Sequence, residues 1–193
     1  MNAVSRFFLR AKHWQIFLLV CGVYFVGQVA LINSLSPAPS SQGTLVKGDL
    51  RDGFVMALSA LGIFVWFWSM GTFFSSITKT ELKLKPGFFR FALVYPVFYF
   101  IFFIANFQNF KPAFIAVMLP LHLLAMLCMF YILYFVSKSM VLAETGKPAV
   151  FYDYAGPFFL LWFFPIGIWI IQPRVNQLYS DRRRVELSPG EAK

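Results

Sequence analysis

An all-α integral membrane protein is the fold class this sequence predicts, with four transmembrane helices followed by a C-terminal broken apolar segment, re-entrant or in-plane. Three observations predict it. Of 193 residues, 59% are hydrophobic and only 13% charged, against about 25% charged in soluble domains. The charges fall in short runs that separate long apolar blocks, the pattern of membrane spans rather than of a water-facing surface. The last block, residues 155–171, carries Pro165 and Gly167 at its middle, where a lost amide donor and a permissive backbone interrupt a helix. The whole chain reads as one multi-pass domain.

Residues 14–32 form the first expected span, preceded by Arg6, Arg10 and Lys12. The run is too long for a signal-peptide core, which is about 7–15 residues. Residues 34–53 read as an exposed connector rich in Ser, Pro and Gly. Residues 54–77 are an uninterrupted uncharged run, the most secure span, in which Ser59, Gly62 and Gly71 invite close backbone approach. A loop with Lys79, Lys83 and Lys85 ends at Pro86 and Gly87. The third span is 88–107, with Arg90 able to snorkel and Pro96 inside it. A short polar turn at 106–112 makes spans three and four an antiparallel hairpin, opposing residues whose numbers sum to roughly 219. The fourth span, 113–136, continues as helix through Glu144 until Gly146 and Pro148 stop it. After the broken segment comes a basic tail, 172–193, with a short apolar stripe at Val175, Leu178 and Tyr179; Ser188 to Lys193 reads as frayed.

The positive-inside rule orients these elements. With a cytoplasmic N-terminus and the tail on the same side, fourteen Lys and Arg are inside and three outside; with the tail opposite, the count is nine against eight. A re-entrant segment that returns the tail to the cytoplasmic side of a cell membrane is therefore expected. A hairpin of this kind also brings Asp153 and Arg174 to one surface, within reach of an ion pair.

Little in the sequence points to catalysis. No HExxH, GxSxG, Walker or dinucleotide-binding pattern occurs, so no catalytic residue, metal ligand or cofactor is assigned. Cys21 and Cys128 lie in apolar blocks without a CxxC and read as packing residues. His13 and His122 stand at different depths, which argues against a shared haem. The net charge of +9 flanks the apolar blocks instead of forming one basic face, which excludes a nucleic-acid binder and points to topology and headgroup contacts.

The candidate binding residues are His122, Asp153, Arg174, Pro165 and Gly167. His122 is an ionisable group at bilayer depth, a functional candidate by default; its simplest role is structural, with the Tyr99 or Tyr95 hydroxyl, or a carbonyl near Pro120, as its partner. The favoured function is a non-catalytic accessory protein or subunit of a membrane assembly, with the bilayer and a membrane-protein partner or a second copy as its contacts. The alternative is a small transporter or lipid-handling protein that holds an anionic headgroup or solute at the broken segment, because irregular backbone at membrane depth needs a cavity or protein around it. An enzyme would require Asp153, Arg174 and a tyrosine to converge.

Overall fold

The computed structural model describes residues 2–34, 50–106 and 112–187, and every regular element among them is helical. Among the described residues three helices are long and apolar enough to cross a membrane, over Ala57–Ile77, Pro86–Phe103 and Phe114–Thr145. Most of the expected connector, the turn after span three and the last six residues lie outside the described residues.

The N-terminal region differs from the sequence reading. A separate helix α1, Ala3–Arg10, precedes the first expected span. Its period places Ser5, Phe8 and Leu9 inward and Arg6 and Arg10 outward. Ala11 and Lys12 are extended and break the helix; the Lys12 N–H then donates to Gln15 Oε1 at 2.8 Å, starting α2 at His13–Phe17. The expected span is thus not a uniform α-helix. It runs through a π-helical turn, Leu18–Gly22, into α3, Val23–Ser34, and its described apolar part, His13–Gly27, is shorter than the three long helices.

The second helix, α4 (Leu50–Ile77), begins earlier than expected and takes Arg51 and Asp52 out of the connector. α5 (Pro86–Asn106) and α6 (Pro112–Thr145) match spans three and four, with Pro96 and Pro120 inside them. α6 ends where expected: Gly146 adopts φ +62° and its N–H donates to the Leu142 carbonyl, a left-handed cap that glycine accepts without strain. At 34 residues, α6 is about 50 Å long and exceeds a hydrocarbon core of about 30 Å.

The last apolar stretch is broken at one residue. α7 (Phe151–Trp162) ends at Phe163, whose ψ of 54° leaves the helical region, and α8 (Phe164–Leu187) begins at once with Pro165 in its first turn. A proline there costs no helical hydrogen bond, because the first amides of a helix have no partner to lose. Gly167 is buried directly on the Leu160 carbonyl, and any Cβ would occupy the same space. α7 starts beside the C-terminal end of α6 and reaches Phe130, whose ring is 4.6 Å from Trp162. α8 then comes back to the end of α6, where Arg174 meets Glu144. The two helices form a hairpin, and α8 continues unbroken past Pro173 through the apolar stripe of the basic tail to Leu187.

The core lies towards one end of the bundle. Trp66, Phe67, Met70 and Phe74 of α4, Phe89 and Ala92 of α5, and Ile132, Phe135, Val136 and Met140 of α6 are all buried. They are joined by Ile168, Ile171 and Val175 of α8 and by Leu9 and Ile16 from the N-terminal region. Gly71 admits Phe89, which stacks on Phe135 with ring centroids 4.1 Å apart. Towards the other end, α5 and α6 turn Phe98, Ile101, Phe102, Leu119, Leu123 and Leu127 outward.

Candidate functional site: a hinge cavity and a buried amide

The hairpin α7–α8 is short. Twelve residues of α7 span about 18 Å, so the hairpin fills only the tightly packed end of the bundle. Beyond its hinge, α4, α5 and α6 line an open cavity of about 430 Å³, within the range of small-molecule sites, roughly 300–1,000 Å³. Leu161, Trp162 and Phe164 of the hinge form its floor, and Ala60, Phe64, Phe100, Ala125 and Met126 are among its walls. The lining is almost wholly apolar.

His122 and Tyr99 supply the polar atoms in this lining. Tyr99 Oη lies 2.9 Å from His122 Nδ1, which gives that ring nitrogen the first of the partners expected from sequence. One turn earlier on the same face of α5, the Tyr95 hydroxyl donates to the Leu121 carbonyl at 3.0 Å. Both contacts follow from the antiparallel register of α5 and α6, as does the 4.5 Å approach of Phe88 to Tyr131. When Tyr99 donates to Nδ1, the ring proton sits on Nε2. Nε2 has no protein partner among the described residues, and the imidazole lines the cavity.

The other sequence candidates do not gather here. Pro165 is exposed and Gly167 is sealed against Leu160, so neither forms a polar pocket. The expected pair of Asp153 with Arg174 is not formed. Arg174 instead holds Glu144 with two hydrogen bonds from one edge of its guanidinium, Nε to Oε1 at 3.1 Å and Nη2 to Oε2 at 2.6 Å. Asp153 is committed to its own helix, where Oδ2 accepts the Val150 N–H at 2.8 Å and so caps one of the free amides of α7. Glu144 wins because it stands at the end of α6 where α8 returns. Tyr154 is buried against Tyr134 with Lys138 Nζ 5.6 Å above its ring, and Asp153 and Arg174 are each engaged elsewhere, so the expected convergence of these two with a tyrosine is not formed. No group of three or more His, Cys, Asp or Glu that could hold a metal is present among the described residues.

Sequence reasoning passed over a second polar centre. Gln172, fully buried, accepts from Trp66 Nε1 at 2.8 Å, and its Nε2 lies 2.8 Å from the Phe8 carbonyl, 2.9 Å from the Ala11 carbonyl and 3.0 Å from Asn176 Oδ1. Phe8 and Ala11 close α1, where the last carbonyls have no helical partner. One amide therefore satisfies the end of α1, the indole of α4 and its own helix. A single amide between Ile171 and Pro173 at the end of an apolar run was the available signal. His13 also meets α8, with its ring 4.6 Å from that of Trp169, and both cysteines are buried and free, as expected.

Comparisons with protein families, curated proteins and solved structures find no match for this chain.

Proposed function

We propose that this chain is a non-catalytic lipid-handling membrane protein that accommodates the acyl chain of a lipid in the cavity above the α7–α8 hinge. In this reading α2–α3, α4, α5 and α6 are four transmembrane segments, and α7–α8 is a re-entrant hairpin that returns the tail to the cytoplasmic side of the N-terminus. The cavity carries the proposal. It is open, apolar and bounded by a hairpin too short to fill the bundle, so in a bilayer the neighbouring acyl chains are the molecules most available to occupy it. His122 Nε2 gives such an occupant one polar anchor, suited to an ester or hydroxyl oxygen. Bringing Arg174 back to Glu144 supports the same-side arrangement of the hairpin's two ends.

A polar-solute transporter is less well supported, since His122 and Tyr99 alone do not make a hydrophilic path. The accessory-subunit reading draws on the outward-facing aromatic side chains of α5 and α8, such as Phe98, Phe102 and Trp169. Lipid covers such faces as readily as a partner does, so the cavity is what favours the lipid-handling reading.

The test is photo-crosslinking of the purified protein with a fatty acid or phospholipid carrying a diazirine on its acyl chain. Labelled peptides should come from α4, α6 and the 161–164 hinge, and Ala125→Phe, which fills the cavity, should abolish that labelling. Uniform labelling of the outer helix faces, unchanged by Ala125→Phe, would defeat the lipid-cavity reading.

A further inference from the structure

Helix α1 and the C-terminal part of α8 meet in a second groove, remote from the hinge cavity. Its volume is about 430 Å³, and it is lined by Arg10 of α1 and by Asn176, Tyr179, Ser180, Arg183 and Arg184 of α8, with Leu9 and Leu187 at its edges. Three arginines thus line one space with no carboxylate side chain among its described lining residues. Arg10 lies over the Tyr179 ring at 5.8 Å, and Tyr179 packs edge-on against Phe73 near the end of α4, which fixes the groove at the end of a candidate span. Arg184 has a distant contact with Asp181 at 3.8 Å, both side chains being mostly exposed. Arg183 has no carboxylate partner among the described residues. Arg182, by contrast, is engaged by Glu186 at 3.0 Å and does not line the groove.

The surroundings indicate which anion fits. Val4 and Phe7 of α1 are more than half exposed beside Arg6 and Arg10, and Val185 and Leu187 project similarly from α8. A helix with arginines and exposed apolar side chains on its open faces suits a bilayer interface, with the apolar groups in the acyl boundary and the cations among headgroups. Arginine's fork matches two oxygens of a phosphate. We propose that the groove between α1 and the end of α8 is a binding site for the phosphodiester headgroup of anionic phospholipids, with Arg10, Arg183 and Arg184 as its ligands. The Asn176 amide is committed to Gln172 and the Ala11 carbonyl, so recognition falls to the guanidinium groups. This site is independent of the hinge cavity, which would select for an acyl chain and not for charge.

The test is titration of the detergent-purified full chain with short-chain phosphatidylglycerol and phosphatidylcholine, followed by native mass spectrometry. The measurement is made on the unaltered chain and in an Ala125→Phe background that removes acyl binding at the hinge. The expected result is a preference for phosphatidylglycerol in both. R183Q/R184Q should weaken that lipid about thirtyfold, since each arginine near an anionic surface is worth about fivefold. R182Q should leave it unchanged. R183Q/R184Q alters two solvent-facing side chains, and an unchanged melting profile will separate lost binding from lost fold. R183K/R184K should recover part of the affinity by charge without the fork. Equal binding of the two lipids by the unaltered chain would overturn the proposal. So would full displacement by inorganic phosphate at equal concentration, which would make the groove a free-anion site, or saturation by a polyglutamate peptide without competition from phosphatidylglycerol, which would make it a protein-docking face.

Discussion

Replacing Gln172 by leucine tests whether one buried amide holds the N-terminal helix to the bundle. The side chains are similar in size, so the change removes polar atoms with little change in volume. Gln172 has two N–H protons shared among three acceptors, and one oxygen that accepts the Trp66 indole. Without it, the Trp66 N–H and the Phe8 carbonyl lose their partner, while the Ala11 carbonyl keeps Asn176 Nδ2 at 3.2 Å. An orphaned buried group costs about 1–3 kcal/mol, so two cost about 2–6 kcal/mol. The added apolar contact of leucine offsets part of this, leaving about 3 kcal/mol. For a chain of this length that corresponds to a fall in melting temperature of about 10 °C. The protein carries its own reporter: Cys21 and Cys128 are free and buried, so a thiol-reactive fluorophore will report unfolding in detergent. The Trp66→Phe/Gln172→Leu double variant removes both members of the 2.8 Å bond and should cost at least about 1 kcal/mol less than the sum of the two single changes. A melting shift below about 2 °C for Gln172→Leu, or strict additivity in the double variant, would refute the claim that this amide joins α1, α4 and α8.

Four further outcomes follow from the geometry. Gly167→Ala should destabilise the hairpin by more than about 2 kcal/mol because its Cβ meets the Leu160 carbonyl, which is backbone; Gly71→Ala should cost less, since the Phe89 ring can move, and the ranking is read from the same thiol-based melts. His122→Leu and Tyr99→Phe should each lower stability by about 1 kcal/mol; if His122→Leu leaves the melt intact but removes acyl-chain labelling, the imidazole acts on the ligand and its structural role is minor. Glu144→Gln should cost about 1 kcal/mol or less, with the effect fading at high salt, because the Arg174 pair is partly solvated. Cysteines introduced at 153 and 174 should both react with a membrane-impermeant reagent from the cytoplasmic side; labelling of 174 alone from the outside would overturn the hairpin's membrane arrangement.

Composition and apolar run length determined the class of the protein, since α4, α5 and α6 follow from uninterrupted hydrophobicity and from stop signals such as Gly146. The register of α5 on α6 was also legible, because a short turn leaves antiparallel helices little freedom, and it led to the contact between Tyr99 and His122. A break near Pro165 was likewise visible in residue types. Which groups meet across the fold was not. Arg174 meets Glu144 and not Asp153 because α8 returns to the end of α6, while Asp153 accepts the Val150 N–H at the start of its own helix, an arrangement that charge and spacing do not reveal. α1 was hidden because eight residues carry too weak a signal to stand alone; its burial depends on α4 and on α8, which lies more than 150 residues later. The hinge cavity and the arginine groove are products of unequal helix lengths and of the meeting of α1 with α8. Hydrophobic periodicity is a local property that selects elements, whereas cavities and shared polar atoms arise from how those elements fill space against one another, and that was decided only by the tertiary structure.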